Sequence, residues 1–201
     1  INQVNPDILC LQETKVIDEN FPVEPFKKLG YSVEVFGQKA YNGVAIVSKK
    51  KADNVKKGFY GCKDSDQDIK TFLDQKRLIS AEFYGIKIIN VYVPNGSSLE
   101  SEKFKYKIKW LNCLASFLDE QVKRGELICL VGDFNIAPSN LDIYDPEKYE
   151  GKLMASEIER NALNNVLKGR LIDTFRIFEK NTGYWSWWDY RNNAYELNKG
   201  W

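Results

Sequence analysis

The chain has 201 residues, and its 29 Lys and Arg against 28 Asp and Glu give a net charge of +1, which does not by itself indicate a polyanion-binding protein. It contains no histidine, which excludes Ser-His-Asp triads, Cys-His pairs and imidazole-bearing zinc sites within these residues. Hydrophobic residues make up 43% of the chain, and no apolar run approaches the roughly 18 residues that span a bilayer. We therefore expect an ordinary globular protein with no membrane partner.

Apolar runs that predict strands alternate along the chain with patterns that predict helices. The strand runs are residues 7–11, 43–48, 78–83, 86–93 and 127–131. A short helix is predicted around residues 22–29, and a long one begins near Ser97 or Ser98 and ends at Gly125. A third helix opens with the capping-box pair Ser156 and Glu159 and ends at Gly169. This interleaving predicts α/β layers around one core, within a single domain that spans residues 1–201.

The four cysteines, Cys10, Cys62, Cys113 and Cys129, lie far apart and include no C-x-x-C pair. Cys10 and Cys129 fall inside strand-like apolar runs, where a cysteine behaves as a small hydrophobic residue. This usage is typical of a reducing compartment, so we expect a cytoplasmic protein.

Polar side chains stand where three of the predicted strands end. The first strand leads to Glu13, the fourth to Tyr92 and Asn95, and the fifth to Asp133 and Asn135. Sites in layered α/β proteins are usually built at such strand ends. Carboxylates and amides without an imidazole suit a hard cation such as Mg²⁺, which takes one or two protein carboxylates together with substrate phosphate. The set therefore favours metal-assisted hydrolysis of a phosphodiester.

Each of these residues also has a purely structural explanation. Glu13 can be a solvated strand end, and Tyr92 can pack at a sheet edge. Asp133 and Asn135 can form an Asx turn after a glycine, and Asn95 begins a common turn dipeptide. Taken together, the five are harder to explain in this way.

Six segments, LQETK, NGVAIVSK, VYVPNG, VGDFNIAP, LIDTFR and WSWWDYR, resemble in order and spacing the exonuclease III-like apurinic/apyrimidinic endonucleases of the endonuclease/exonuclease/phosphatase superfamily. The resemblance implies a four-layer α/β/β/α sandwich with two packed mixed sheets. It implies that Glu13 binds the metal, and that Asp133 activates or positions water. Asn135 would hold that water and the scissile phosphate, Tyr92 would contact the phosphate, and Asn95 would touch the DNA backbone. Asp133 and Asn135 are thereby candidates for the metal site as well.

The resemblance extends to the aromatic segment near the end of the chain. In the family this loop and a later tryptophan wall a pocket for a base-less deoxyribose, which implies Trp187 and Trp201 here. Lys15 and Arg191 are candidate phosphate-backbone contacts. Asp173, in LIDTFR, also matches a family position, and the alternative is that it serves only to order its loop. Dense aromatic residues more often indicate core packing, so that alternative stays open.

The family pattern includes segments beyond those in this sequence. It expects an asparagine-bearing strand before Ile1, and an Arg-x-Asp strand and a Ser-Asp-His segment after Trp201. We therefore expect a chain cut at both ends that lacks its first and last strands. It is either an extract of a longer, active enzyme, which we favour, or a truncated protein with little or no catalysis. Alone it should be poorly soluble and at least about a thousandfold less active than an intact enzyme, by analogy with deletions of catalytic residues.

The expected function is that of a DNA-repair phosphodiesterase. It would use Mg²⁺, with Mn²⁺ as an alternative, to cut duplex DNA on the 5′ side of abasic sites and to trim 3′ ends. Its partner would be double-stranded DNA with abasic sites or 3′ ends, and it would act as a monomer. Two alternatives remain open. One is another superfamily phosphodiesterase or phosphatase, such as a DNase I-like enzyme or a phosphoinositide phosphatase, and the other is a catalytically inactive DNA-binding fragment.

Overall fold

Seven strands and six α-helices form the part of the chain that the computed structural model describes, residues 1–60 and 66–201. The strands are β1 (Ile8–Gln12), β2 (Ser32–Phe36), β3 (Val44–Ser48), β4 (Asp53–Lys57), β5 (Leu78–Phe83), β6 (Ile86–Tyr92) and β7 (Leu127–Asp133). The helices are α1 (Val23–Lys28), α2 (Asp66–Asp74), α3 (Glu102–Lys123), α4 (Pro146–Tyr149), α5 (Glu157–Leu167) and α6 (Thr174–Phe178). Short 3-10 helices occupy Asp18–Asn20 and Asn140–Asp142. Cys62 lies outside the described residues.

The predicted strands and helices are confirmed, with shifts of a few residues at their ends. The largest shift is at the start of α3, which begins at Glu102 because the Ser101 hydroxyl accepts the Phe104 N–H at 3.1 Å and thereby caps the helix. Ser97, the predicted start, has a left-handed φ of 59° and lies in a turn. The strands β2 and β4 and the helices α2, α4 and α6 were not predicted from the sequence.

The chain divides into two compact units, which are described separately: residues 1–93 with 116–134, and residues 94–115 with 135–201. The first unit contains both sheets. One has the order β1-β3-β2 and is antiparallel throughout. The other has the order β4-β5-β6-β7 and is mixed, because β6 and β7 run parallel. Whether residues 1–201 form one domain stays a prediction.

The two sheets of the first unit pack face to face over an apolar core. Buried side chains of β3 and β5 meet there, with Phe36 of β2; the cluster comprises Phe36, Val44, Ile46, Ile79, Ala81 and Phe83. Alternate residues of a strand face opposite ways, so β3 sends Ala45 to the other face of its sheet. There Phe21 and Val35 pack with Phe26 of α1. This arrangement confirms the predicted α/β fold with two packed sheets.

Helical residues cover the outer face of the mixed sheet within the same unit. Phe117 of α3 makes an edge-on contact with Phe59, their ring centroids 5.7 Å apart. Lys87 of β6 reaches the Gln121 side chain of α3 at 3.0 Å. Helices thus lie against the outer faces of both sheets, as expected for layered α/β packing.

The second unit is built around α5 and the first part of α3. The predicted capping box is present: the Ser156 hydroxyl accepts the Glu159 N–H, and the Glu159 carboxylate accepts the Ser156 N–H. Trp110 and Leu111 of α3 are fully buried, as are Lys107 and Glu159.

Among the described residues, no helix combines the length and apolar character needed to cross a membrane.

Candidate active site

Three of the predicted site residues come together in the first unit at the ends of their strands. The Tyr92 hydroxyl donates a short hydrogen bond to Glu13 Oε1. The parallel register of β6 and β7 pairs Tyr92 with Asp133. Lys15 Nζ lies 2.6 Å from Glu13 Oε2. Residues 13, 92 and 133 thus gather at one end of the two packed sheets, as the strand ends predicted.

The ionisation states of this cluster are set by its own contacts. The Lys15 ammonium, and after it the Tyr92 hydroxyl, lowers the pKa of the Glu13 carboxyl, which is therefore an anion at neutral pH. Burial, and after it the hydrogen bond to Glu13, raises the pKa of the Tyr92 phenol. Tyr92 therefore stays protonated and acts as a hydrogen-bond donor at physiological pH.

Arg77 completes the cluster, and the sequence analysis missed it. Its guanidinium carbon lies 4.6 Å from the centroid of the Tyr92 ring, and its Nη1 donates to the Tyr92 carbonyl at 3.2 Å. Arg77 precedes β5 directly, and a single arginine before a strand gives no signal in one sequence. Its planar cation fixes the ring of Tyr92 from one face and adds positive charge near Glu13.

The segment after β1 holds Glu13 in an unusual backbone conformation. Glu13 and Lys15 have left-handed φ angles of 53° and 56°, which non-glycine residues rarely adopt. The turn is held by two backbone bonds, from Lys15 N to Asn42 O at 2.9 Å and from Ala40 N to Lys15 O at 2.9 Å. Strain of this kind is concentrated at functional sites, where surrounding contacts maintain it.

Asn90, a fully buried residue of β6, ties the first sheet to the second beside this cluster. Its Nδ2 donates to Leu11 O at 2.9 Å and to Ala45 O at 3.0 Å, and its Oδ1 accepts from Gln12 Nε2 at 2.6 Å. A polar residue inside an apolar strand run was the available sequence signal. These hydrogen bonds fix Gln12, which directly precedes Glu13, and Asn90 itself, which lies two residues before Tyr92.

Gly132 allows the close pairing that sets Asp133 beside Tyr92. A Cβ at this position would lie 2.0 Å from the backbone oxygen of Val91, and its φ of +136° also disfavours any side chain. Only glycine fits this approach of β7 to β6.

The two predicted amide residues come together in the second unit. Asn95 Nδ2 donates to Asn135 Oδ1 at 3.2 Å, and Asn135 has a left-handed φ of 50°. The Asn95 side chain also accepts the Ser97 N–H at 3.4 Å, so the turn expected from the Asn-Gly dipeptide is present as well.

Trp187 and Trp201, the two predicted pocket walls, are joined through their backbones. Trp201 N donates to Trp187 O at 2.8 Å, and Trp187 N donates to Trp201 O at 2.9 Å. The Trp201 ring packs on Tyr149, with centroids 4.7 Å apart, whereas Trp187 is 46% exposed. Tyr149 was missed because it lies in a polar stretch between the recognised motifs.

Arg191 and Asp173 make local contacts within the same unit. The Arg191 guanidinium makes a two-point ion pair with Asp189, at 3.0 and 2.9 Å, and remains 73% exposed. Asp173 caps α6, where its carboxylate accepts the N–H groups of Phe175 and Arg176 at 3.0 and 3.2 Å. Asp173 thus fixes the start of α6, and whether it also has the role of the matching family position stays a prediction.

Comparison with known proteins shows the family of the chain. The model of the Endonuclease/Exonuclease/phosphatase family matches residues 1–201. The chain belongs to this family. Exodeoxyribonuclease III of Haemophilus influenzae is 34% identical over 212 residues, a match that covers 100% of this chain and 76% of the relative. The resemblance to exonuclease III-like enzymes, and with it the assignment as a hydrolase of the nuclease type, is confirmed.

Solved structures of family members share the fold. An AP endonuclease from Archaeoglobus fulgidus superposes with a TM-score of 0.89 at 36% identity, covering 100% of this chain and 75% of that one. A Neisseria 3′ phosphatase, NExo, bound to a product DNA hairpin, gives 0.88 at 38% identity, covering 97% of this chain and 73% of that one.

The oxygen-bearing side chains found here fit the Mg²⁺ ion that the family resemblance implies. Among the described residues no group of three or more His, Cys, Asp or Glu side chains is placed to hold a metal ion. Glu13, which accepts from Tyr92, and Asp133, the register partner of Tyr92, still match Mg²⁺, which commonly binds one or two carboxylates and keeps several waters.

Proposed function

We propose that this protein is a DNA-repair nuclease that cleaves duplex DNA on the 5′ side of abasic sites and also removes nucleotides and blocking groups from 3′ ends. The observation that carries the proposal is the cluster of Glu13, Tyr92 and Asp133, drawn from three distant parts of the chain. The names of the relatives, exodeoxyribonuclease III and AP endonuclease, support DNA as the substrate.

The proposed reaction is hydrolysis of one phosphodiester bond. Glu13 and Asp133 would hold Mg²⁺, or Mn²⁺, with Asn135 as a further candidate ligand; the ion supplies neutralising charge at a phosphate oxygen. Water attacks the phosphorus and its proton passes to the Asp133 carboxylate. The bond from phosphorus to O3′ breaks, and the leaving O3′ takes a proton from solvent water to become a hydroxyl. The Tyr92 hydroxyl, kept protonated by burial and by Glu13, would turn its single O–H from Glu13 to a phosphate oxygen when DNA binds.

The amide residues are proposed to act without adding charge. Asn135 would hold the attacking water or the scissile phosphate, and Asn95 would contact the DNA backbone, as would Lys15 and Arg191. Amides can do this without repelling the phosphate anion. Arg191 would have to leave or share its pair with Asp189 to do so, which its 73% exposure permits.

Abasic specificity is proposed to come from Trp187 and Trp201. A deoxyribose without its base is small and partly apolar, so aromatic walls accept it while an intact flipped nucleotide fits poorly. The backbone pairing of the two tryptophans and the packing of Trp201 on Tyr149 support a preformed wall.

The test is cleavage of a duplex with one abasic site, with Mg²⁺ present and after chelation. Glu13→Gln and Asp133→Asn should each lower kcat by about a hundredfold or more, because they remove a metal ligand or a proton acceptor. Chelation should abolish the activity of the wild type. Glu24→Gln, which breaks a comparable exposed Glu–Lys pair, is the matched control and should keep full activity.

Other substrates separate the remaining possibilities. Faster turnover of a phosphoinositide than of abasic DNA would contradict the proposal in favour of a lipid phosphatase. If the protein binds abasic DNA in a salt-sensitive way but yields no cleavage product with any added divalent metal, it is a DNA-binding protein instead. The monomeric state and the cytoplasmic location stay predictions.

A further inference from the structure

A buried ion pair lies beneath the two site asparagines, inside the second unit. Lys107 of α3 and Glu159 of α5 have no exposed side-chain surface, and Lys107 Nζ lies 2.5 Å from Glu159 Oε1. The same ammonium donates to the backbone oxygens of Asn95, at 3.1 Å, and Asn135, at 2.8 Å.

The three acceptors use the full donor capacity of the lysine. An ammonium group carries three N–H donors, and here these meet one carboxylate and two carbonyl oxygens. Glu159 is saturated in turn, because it accepts from Met154 N at 3.1 Å and from Ser156 N and Oγ at 3.2 and 2.5 Å. The pair is therefore fixed from both sides.

Stability alone is a weak reason for such a pair. Charges removed from water lose hydration, and apolar side chains of similar volume often stabilise a protein as well as a buried ion pair does. What apolar side chains cannot provide is a donor for two carbonyl groups at once. Those two carbonyls belong to the residues whose side-chain amides meet at 3.2 Å.

We propose that Lys107 is a positioning residue: it holds the backbones of Asn95 and Asn135 so that their amides point in a fixed direction, and Glu159 holds Lys107. The inference rests on the proposed function for its catalytic consequence. Lys107 touches neither substrate nor metal in this account. Its effect reaches the reaction only through the two asparagines.

The experiment separates positioning from folding with a double variant. Lys107→Met alone leaves Glu159 buried without its partner, and we expect it to be strongly destabilised. Lys107→Met combined with Glu159→Gln removes both charges while the glutamine oxygen still accepts from Ser156 N and Oγ, and its thermal midpoint should recover most of the loss. Lys109→Met, at an exposed position two residues along α3, is the matched control.

Two readouts are measured on the folded double variant. Its kcat on abasic duplex should stay about tenfold to a hundredfold below the wild type, with KM changed little, because misplaced groups weaken the transition state more than DNA binding. The NMR signals of the Asn95 and Asn135 side-chain amides, identified by their loss in Asn→Asp variants, should shift or broaden. Lys109→Met should alter neither readout.

A double variant that recovers both stability and kcat would overturn the inference, since the pair would then serve folding alone. Unchanged asparagine amide signals would overturn it as well. An inactive wild type would contradict the proposed function instead, and the amide signals would still decide whether Lys107 positions the two asparagines.

Discussion

At the scale of single residues, the cluster around Tyr92 shows how neighbours set chemical state. Glu13 is kept ionised by Lys15, and Tyr92 is kept protonated by burial and by Glu13. Residue type already gives both states at neutral pH; the contacts widen the pH range over which each holds, and they depend on partners that are distant in the chain or bent back by a left-handed turn.

The cysteines give a second contrast at this scale. Both Cys10 and Cys129 fall in apolar strand runs, yet Cys10 packs against the core while Cys129 is exposed, so the expectation of a small hydrophobic residue fits only Cys10. Burial raises the pKa of the Cys10 thiol to about 12. A strand at the edge of a sheet need not be buried on both faces, and β7 is at such an edge.

Iodoacetamide at pH 8 should therefore modify Cys129 at least about tenfold faster than Cys10, since only the thiolate reacts. Mass spectrometry of digested samples measures the two rates. The unfolded thiol ionises near pH 8.5, as a rough value, and the folded one only near pH 12. Cys10 should thus lower stability as the pH rises through that interval, and Cys10→Ser should reduce the loss. Equal labelling rates would contradict this account.

At the scale of elements, strand ends and their glycines decide where the site forms. Apolar runs predicted the position of β1, β6 and β7, and their polar ends supplied the candidate residues. The polar strand β4 and the short helix α6 gave no such signal, because a peripheral element with little buried surface carries little periodicity.

Gly132→Ala should lower the free energy of unfolding by about 3 kcal/mol or more, because a methyl group there meets the backbone of Val91 in a disfavoured conformation. Gly85→Ala is the control. Its φ is also positive, at +79°, but its Cβ would meet no atom within 4 Å, so its cost should be limited to about 1–2 kcal/mol of backbone strain. Urea unfolding of both variants measures the difference, and equal losses would show that β7 does not approach β6 so closely.

At the scale of the whole molecule, net charge and core packing give different kinds of information. The net charge of +1 provides little long-range attraction for DNA. Binding should then rely on local contacts such as those proposed for Lys15 and Arg191. The apolar core between the sheets instead fixes the frame on which the first cluster is built.

Two adjacent aromatic residues test that core. Phe83 is 2% exposed between the sheets, whereas Tyr84 is 78% exposed, and the Lys50 ammonium lies 4.2 Å from the centroid of its ring. Phe83→Ala should cost about 3–5 kcal/mol of stability, and Tyr84→Ala about 1 kcal/mol at most. Chemical unfolding followed by tryptophan fluorescence measures both. Comparable losses would show that the sheets do not pack through Phe83.

The sequence by itself determined the layered α/β class, the approximate positions of five strands and three helices, the family, and the residues at the strand ends. These follow from local periodicity and from short motifs, which one chain carries in full. Only the tertiary structure revealed the contacts that make those residues a cluster, such as Arg77 against Tyr92 and Asn90 between the sheets.

Lys107 shows the difference between what the sequence indicates, which is burial, and what only the folded structure gives, which is its contact partners. Its spacing from Phe104 and Leu111 placed it on the apolar face of α3, so its burial could have been inferred. Its partners could not, because Glu159 and Asn135 lie 52 and 28 residues away. Which distant groups meet is decided by packing, and the periodicity of a single helix does not encode it.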